Sequence, residues 1–179
     1  MAGKNAKALL IIDMLNDFVL KGAPLEVPRA RAIVGNIKKQ VNKARRSKTP
    51  IIYCCDSHSR NDREFGLWPP HAVRGTRGAA VIDELKPRRE DIVIHTHTYS
   101  GFYRTALDRT LKGLGARHLI LTGVVTNICI LYTAVDAYMR GYEVSVPEDC
   151  AAAFRTEEHR FALRQIRETL KPRKSPSHI

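Results

Sequence analysis

Apolar residues along this chain follow two rhythms that take turns. Five short runs are largely aliphatic: ALLIID (8–13), IIYCCD (51–56), DIVIHT (91–96), HLILTG (118–123) and YEVSVPEDC (142–150). Runs of this length, rich in β-branched residues and bounded by polar segments, read as strands of a sheet covered on both faces. Between them the apolar positions recur every three or four residues. Ile33, Val34, Ile37 and Val41 stand on one face of a helix predicted over 29–46, with lysine and arginine elsewhere on it. Helices are predicted over 104–113, with Gly115 as a stop signal, over 126–141, closed by Gly141, and over 156–170. A short helix is expected at 80–85, after a long polar loop at 57–80.

Strand alternating with helix predicts the α/β class, a three-layer α/β/α sandwich around a mostly parallel, doubly wound sheet. Residues 1–170 are expected to form one domain, and the basic segment KPRKSPSHI (171–179) to fray. In open sheets of this kind the ligand crevice lies outside the carboxyl ends of the strands. The residues there are Asp13, Asp56, the His95–His97 segment and Gly123, followed by the start of the 126–141 helix.

Composition changes this picture little. A chain of 179 residues, 44% hydrophobic and 27% charged, has ordinary globular proportions. It can bury a core without disulfide or metal staples. No apolar run approaches the ~18 residues of a membrane span. The start lacks the pattern of a secretory signal, so a cytoplasmic location is expected. The four cysteines, Cys54, Cys55, Cys129 and Cys150, form no C-x-x-C pair and are expected to be reduced. Charge is the departure: 30 Lys and Arg stand against 18 Asp and Glu, a net +12. The basic clusters at 43–48, 86–89 and 171–174 lie in separate segments without interleaved aromatics. That argues against a nucleic-acid surface and for a solvated cationic exterior.

Two constellations carry chemistry. Cys129 falls in the first turn of the helix after GVVT. There the positive helix terminus lowers a thiol pKa, and unpaired backbone N–H groups can hold an oxyanion. A carboxylate brought close, such as Asp13, could accept the thiol proton. Free cysteine is also a common core residue, so a packing role stays open at this point. Asp56 and His58, in D-x-H spacing at a strand end, with His71 thirteen residues further on, offer ligands for a divalent transition ion. A metal-free loop is the alternative.

Taken in order over residues 7–155, four segments resemble the isochorismatase-like cysteine hydrolases. They are ALLIIDMLNDF, the D-x-H with WPPHAVRGTRGA, YSGFYRTALD and above all TGVVTNICILYTAVDAYMRGYEVSVPEDC. That superfamily includes nicotinamidases, N-carbamoylsarcosine amidases and related amidohydrolases. The resemblance implies the same doubly wound sandwich, a small-molecule amide substrate, a dimer or tetramer, and no organic cofactor. It implies that Cys129 is a nucleophile and Asp13 its acidic partner. It implies a cis peptide between Val124 and Val125 that aims the Val125 and Cys129 amides at the substrate oxyanion. Asp56, His58 and His71 match ligands for zinc, iron or manganese. Trp68, Tyr99 and Phe18 match pocket walls, and Asp136 matches a structural position.

Two positions depart from the family pattern. Leu15 replaces a common glutamine. The family's third catalytic residue is a lysine three positions before the tyrosine of the YS-x-F motif; counting back from Tyr99 reaches Thr96, and no lysine occurs from 91 to 111. His95 or His97 could substitute, although successive strand residues face opposite sides. The resemblance thus implies a cysteine amidohydrolase that cleaves the C–N bond of a nicotinamide-like or carbamoyl substrate through a Cys129 thioester. The alternative is a catalytically impaired ligand- or metal-binding relative. Ser100, Phe102 and Tyr103 are expected near the cleft and Cys150 in the core. Arg74 could meet a substrate carboxylate or a neighbouring subunit.

Overall fold

A computed structural model describes residues 6–171. Its six strands are β1 (Lys7–Ile12), β2 (Ile51–Asp56), β3 (Ile92–Thr96), β4 (His118–Val124), β5 (Glu143–Ser145) and β6 (Ala151–Ala152). Five helices accompany them: α1 (Asn16–Val19), α2 (Ala30–Arg46), α3 (Leu107–Gly113), α4 (Leu131–Met139) and α5 (Thr156–Thr169). The strands run parallel in the order β3-β2-β1-β4-β5, with β6 also paired to β4.

The aliphatic runs form these strands because both faces of the sheet are covered. Side chains alternate across a strand. Leu9 and Ile11 of β1, with Ile51, Tyr53 and Cys55 of β2, pack against Ile33, Val34, Ile37 and Val41 of α2. Ala8, Leu10 and Ile12, with Ile52 and Cys54, pack against Leu107 and Leu111 of α3, Ala134 and Ala137 of α4, and Ile166 of α5. Burial on each side supplies about 1.5–3 kcal/mol per large aliphatic side chain, which outweighs the modest strand propensity of the backbone itself. The three expected layers are present.

Several expected boundaries are corrected. The strand predicted over 142–150 covers only Glu143–Ser145. Pro147 has no N–H to give a ladder, and a 3₁₀ turn over Glu148–Cys150 follows it. Pairing with β4 resumes at Ala151–Ala152, so β4 meets β5 along its first half and β6 along its last two residues. The helix expected at 80–85 is a 3₁₀ turn over Asp83–Leu85, preceded by an antiparallel bridge from Val81 to Leu15. The helix expected from 104 begins at Leu107. The helix expected from 126 opens with a π turn, Thr126–Ile130, before α4. Apart from Lys171, the basic segment 171–179 lies outside the described residues.

Strand order reverses direction between β1 and β4, and this is where a doubly wound sheet opens its crevice. Asp13 follows β1 there in the left-handed region, at φ 52°, and its N–H donates to Cys54 O at 2.9 Å. Beside it Gly123 sits near the end of β4 at φ +114°; a Cβ at this position would collide with the backbone carbonyl of Ile12. Gly123→Ala is therefore expected to cost about 3 kcal/mol, combining backbone strain with the clash. A thermal melt should show it as a loss of roughly 6–12 °C. An unchanged melting temperature would mean that β1 and β4 do not approach this closely.

Candidate active site

The crevice gathers residues from four strand ends. The Cys129 thiol and the Asp13 carboxyl neighbour each other, and the Val125 amide lies beside the Cys129 sulfur. The Val124–Val125 peptide bond is cis. Asp13, only 3% exposed, also accepts a hydrogen bond on Oδ1 from the Asp56 N–H at 2.8 Å. Burial, and then the charge of Asp56, push the Asp13 carboxyl well above the usual carboxylate range. Burial likewise pushes the Cys129 thiol up, with Asp13 and Asp56 adding to it. This corrects the expected lowering. The terminus is a π turn, and its amides do not offset enclosure beside two acidic neighbours.

A second group lies against the first. One carboxylate oxygen, Asp56 Oδ2, stands 2.8 Å from His58 Nε2 and 3.2 Å from His71 Nε2. Burial would raise Asp56, but its hydrogen bonds to the two imidazoles outweigh this and hold the carboxyl below its usual range. Burial alone would lower His58; the hydrogen bond and charge of Asp56, with Asp62 assisting, raise it to about 9. His58 Nδ1 lies 3.2 Å from Asp62 Oδ2. His71 Nδ1 faces the Pro69 carbonyl at 2.7 Å and so must donate to it, which aims Nε2 at Asp56. Glu64, half-buried and pushed up first by burial and then by Asp56, is the fourth member. One ligand atom from each of Asp56, His58, Glu64 and His71 lies within 4.8 Å of the others.

This donor set fits a divalent ion. It combines imidazole nitrogen and carboxylate oxygen, the ligands of zinc, iron and manganese. Nearest-neighbour spacings of 2.8 and 3.2 Å approach the edge of about 3.3 Å that a tetrahedron with 2.0–2.1 Å bonds requires. His71 is oriented by the carbonyl on its far nitrogen, as metal-binding imidazoles commonly are, while His58 Nδ1 faces the Asp62 carboxylate without a hydrogen bond.

Between the two groups lies a narrow pocket, partly open to solvent. Cys129, Val125 and Ile128 line one side; Asp56, Glu64 and His71 line another. Phe18, Trp68, Tyr99 and Phe154 supply aromatic walls, with Leu25 and Thr98 completing the lining. Trp68 and Phe154 stack at 6.0 Å and 17°, and Trp68 Nε1 donates to Tyr99 Oη at 3.4 Å. No lysine or arginine is among these residues.

The model of the isochorismatase domain matches residues 7–173. N-carbamoylsarcosine amidase from Thermoplasma acidophilum is 36% identical, covers 97% of this chain and 98% of its own, and superposes with a TM-score of 0.84. Pyrazinamidase of Pyrococcus horikoshii, solved in complex with zinc, is 28% identical with a TM-score of 0.88, covering 93% of this chain and 97% of its own. An Arabidopsis thaliana protein named "Probable inactive nicotinamidase" is 34% identical over 164 residues, 85% of this chain and 83% of that one. The chain belongs to the isochorismatase family.

Thr96 is the position at which the resemblance would call for a lysine, and the structure shows where it lies. Thr96 is 4% exposed and pairs in register with Asp56. His95 and His97 on either side of it are exposed, and His97 Nδ1 donates to the Ser57 carbonyl at 3.1 Å. Neither histidine enters the pocket, so the suggestion that one replaces the lysine is not supported. Ser100, Phe102 and Tyr103 are also absent from the lining. Ser100 Oγ donates to Asp136 Oδ2 at 2.5 Å, Phe102 is in the core, and Tyr103 is exposed. Asp136 additionally holds Arg140 at 2.7 Å. Cys150 is buried. Arg74 is exposed, 3.4 Å from Ser57 Oγ, and lies outside the pocket. Val124 is buried behind the lining. Sequence reasoning missed Leu25, Glu64, Thr98, Ile128 and Phe154. The acidic pair Asp62 and Glu64, shortly after D-x-H in a loop otherwise without pattern, was the available signal for Glu64.

Proposed function

We propose that this chain is a metal-assisted cysteine amidohydrolase acting on a small, uncharged, flat amide such as a nicotinamide-like carboxamide. The carrying observation is that Cys129, with Asp13 behind it, and Asp56, Glu64 and His71 of the four-residue group line one pocket with aromatic walls. Asp13 takes the thiol proton as the Cys129 sulfur attacks the amide carbonyl carbon. The Val125 and Cys129 amides hold the resulting oxyanion. Asp13 returns the proton to the leaving nitrogen, the C–N bond breaks, and a thioester and free amine or ammonia result. Water, losing a proton to Asp13, then releases the acid and restores the thiol. A divalent ion held by Asp56, His58, Glu64 and His71 would supply positive charge and a Lewis-acidic anchor for a substrate heteroatom.

The lining supports the uncharged substrate. The lining has no arginine or lysine to pair with a substrate carboxylate, so only the divalent ion, itself shared with Asp56 and Glu64, would offset such a charge. Nicotinamide incubated with the protein and zinc or manganese is expected to release ammonia. Silence across a panel of small neutral amides would remove the reading.

Thr96 favours a second reading, a relative that binds metal or ligand without turnover. The burial of Thr96 and the outward histidines leave the family lysine without a substitute. Under this reading Thr96→Lys, whose ammonium would stand among buried carboxylates, creates ammonia release at least about tenfold above a silent wild type. A wild type that turns over excludes it.

A further inference from the structure

The turn that carries Cys129 closes on itself through its backbone. Ile128 N and Ile130 N both donate to Val125 O at 3.1 Å, and Leu131 N donates to Ile128 O and Thr126 O. These bonds set the shape of the turn. Its direction relative to the rest of the molecule needs a tie to another element. Thr126, the first residue of the turn, is fully buried, and its Oγ1 lies 2.9 Å from Nδ1 of His159. His159 stands in the first turn of α5, 33 residues along the chain, and has no place in the chemistry assigned above. The segment between β6 and α5 also carries Phe154, which lines the pocket and stacks on Trp68. The start of α5 is thus held on one side by the pocket wall and joined on the other to the Cys129 turn.

We propose that His159 is a positioning residue: by holding the Thr126 hydroxyl it fixes the direction in which the turn presents the Cys129 sulfur and the Val125 amide. His159 touches neither pocket nor metal group, so it acts through Thr126 alone. Burial first, with Arg29 and Arg160 adding and Glu148 opposing, lowers its pKa, which keeps the ring neutral and able to share one proton with a hydroxyl. The kinetic part of this inference rests on the amidohydrolase reading; the geometric part does not.

The test compares His159→Ala, His159→Asn and His159→Gln with wild type. Three quantities are read: kcat and KM for ammonia release, the rate at which iodoacetamide alkylates Cys129, and zinc binding. His159→Ala is expected to lower kcat about tenfold with KM within about twofold, because a small misdirection of the attacking atom is expensive. Alkylation of Cys129 should rise at least about threefold as the freed turn opens, and zinc binding should not change. Asparagine places a polar atom where Nδ1 stood and should restore both rates; glutamine, which matches Nε2, should not. Thr126→Val is expected to reproduce the alanine phenotype and Thr126→Ser to retain wild-type rates, which keeps the test decisive if His159→Ala does not fold. Wild-type kcat and alkylation in both His159→Ala and Thr126→Val, or an asparagine variant as impaired as alanine, would overturn the proposal. Should wild type release no ammonia from any amide, the functional reading fails, and the alkylation rates of the alanine and asparagine variants still decide the positioning role.

Discussion

Replacing Cys129 with alanine is expected to abolish ammonia release, by at least about a thousandfold, while the protein keeps its fold and its affinity for added zinc. The sulfur is the atom that becomes acylated in the proposed sequence, and no nearby group duplicates it. The structural cost is small. Cys129 is half-buried and lines an open pocket, so its loss leaves at most a small void, worth about 1 kcal/mol. Cys54, Cys55 and Cys150 are buried elsewhere and serve as internal controls. Residual activity above a tenth of wild type in Cys129→Ala would exclude a thioester route. The same thiol gives a pH signature. Burial and the neighbouring carboxylates raise it, so its alkylation should keep accelerating as pH climbs past the ordinary thiol range rather than levelling off below it.

The second large effect is expected at the metal group. Asp56→Ala removes the one carboxylate oxygen that both imidazoles face, so zinc or manganese affinity should fall at least about a hundredfold. Equilibrium dialysis measures this directly. A thermal readout follows from mass action, since a metal at a hundred times its Kd stabilises the folded chain by about 2.7 kcal/mol. Wild type should therefore melt higher with zinc than with a chelator, and the variant should melt alike in both. Retention of wild-type metal content by Asp56→Ala would show that the four side chains are an ion-pair cluster and nothing more.

Much of this was legible in the sequence where hydrophobic pattern and chain topology decide the outcome. The strand ends at Asp13, Asp56 and Gly123 follow from continuous apolar runs, and the crossover rule sends all of them to one edge. The misses have physical reasons. A π turn of five residues, Thr126–Ile130, differs from an α turn by too little rotation to leave a periodic trace. The break in the last strand was written in Pro147, a residue whose missing N–H outweighs the β-branched residues before it. Glu64 and Phe154 join the pocket from segments placed by tertiary packing, Trp68 against Phe154 above all, and no local pattern reports such a meeting. Thr126 and His159 are one bond in space and 33 residues apart in the chain, with nothing in either segment to suggest the pairing.

The contrast between an acidic pocket and a cationic exterior has a bearing on traffic through the site. A neutral solute feels neither field, so its arrival should be indifferent to ionic strength. Hydrolysis of an amide leaves an anion behind, and in the proposed site that anion would form beside carboxylates in a chain whose net charge is +12. With no arginine or lysine in the lining, the divalent ion the site would hold becomes the cation that governs how fast such a product departs.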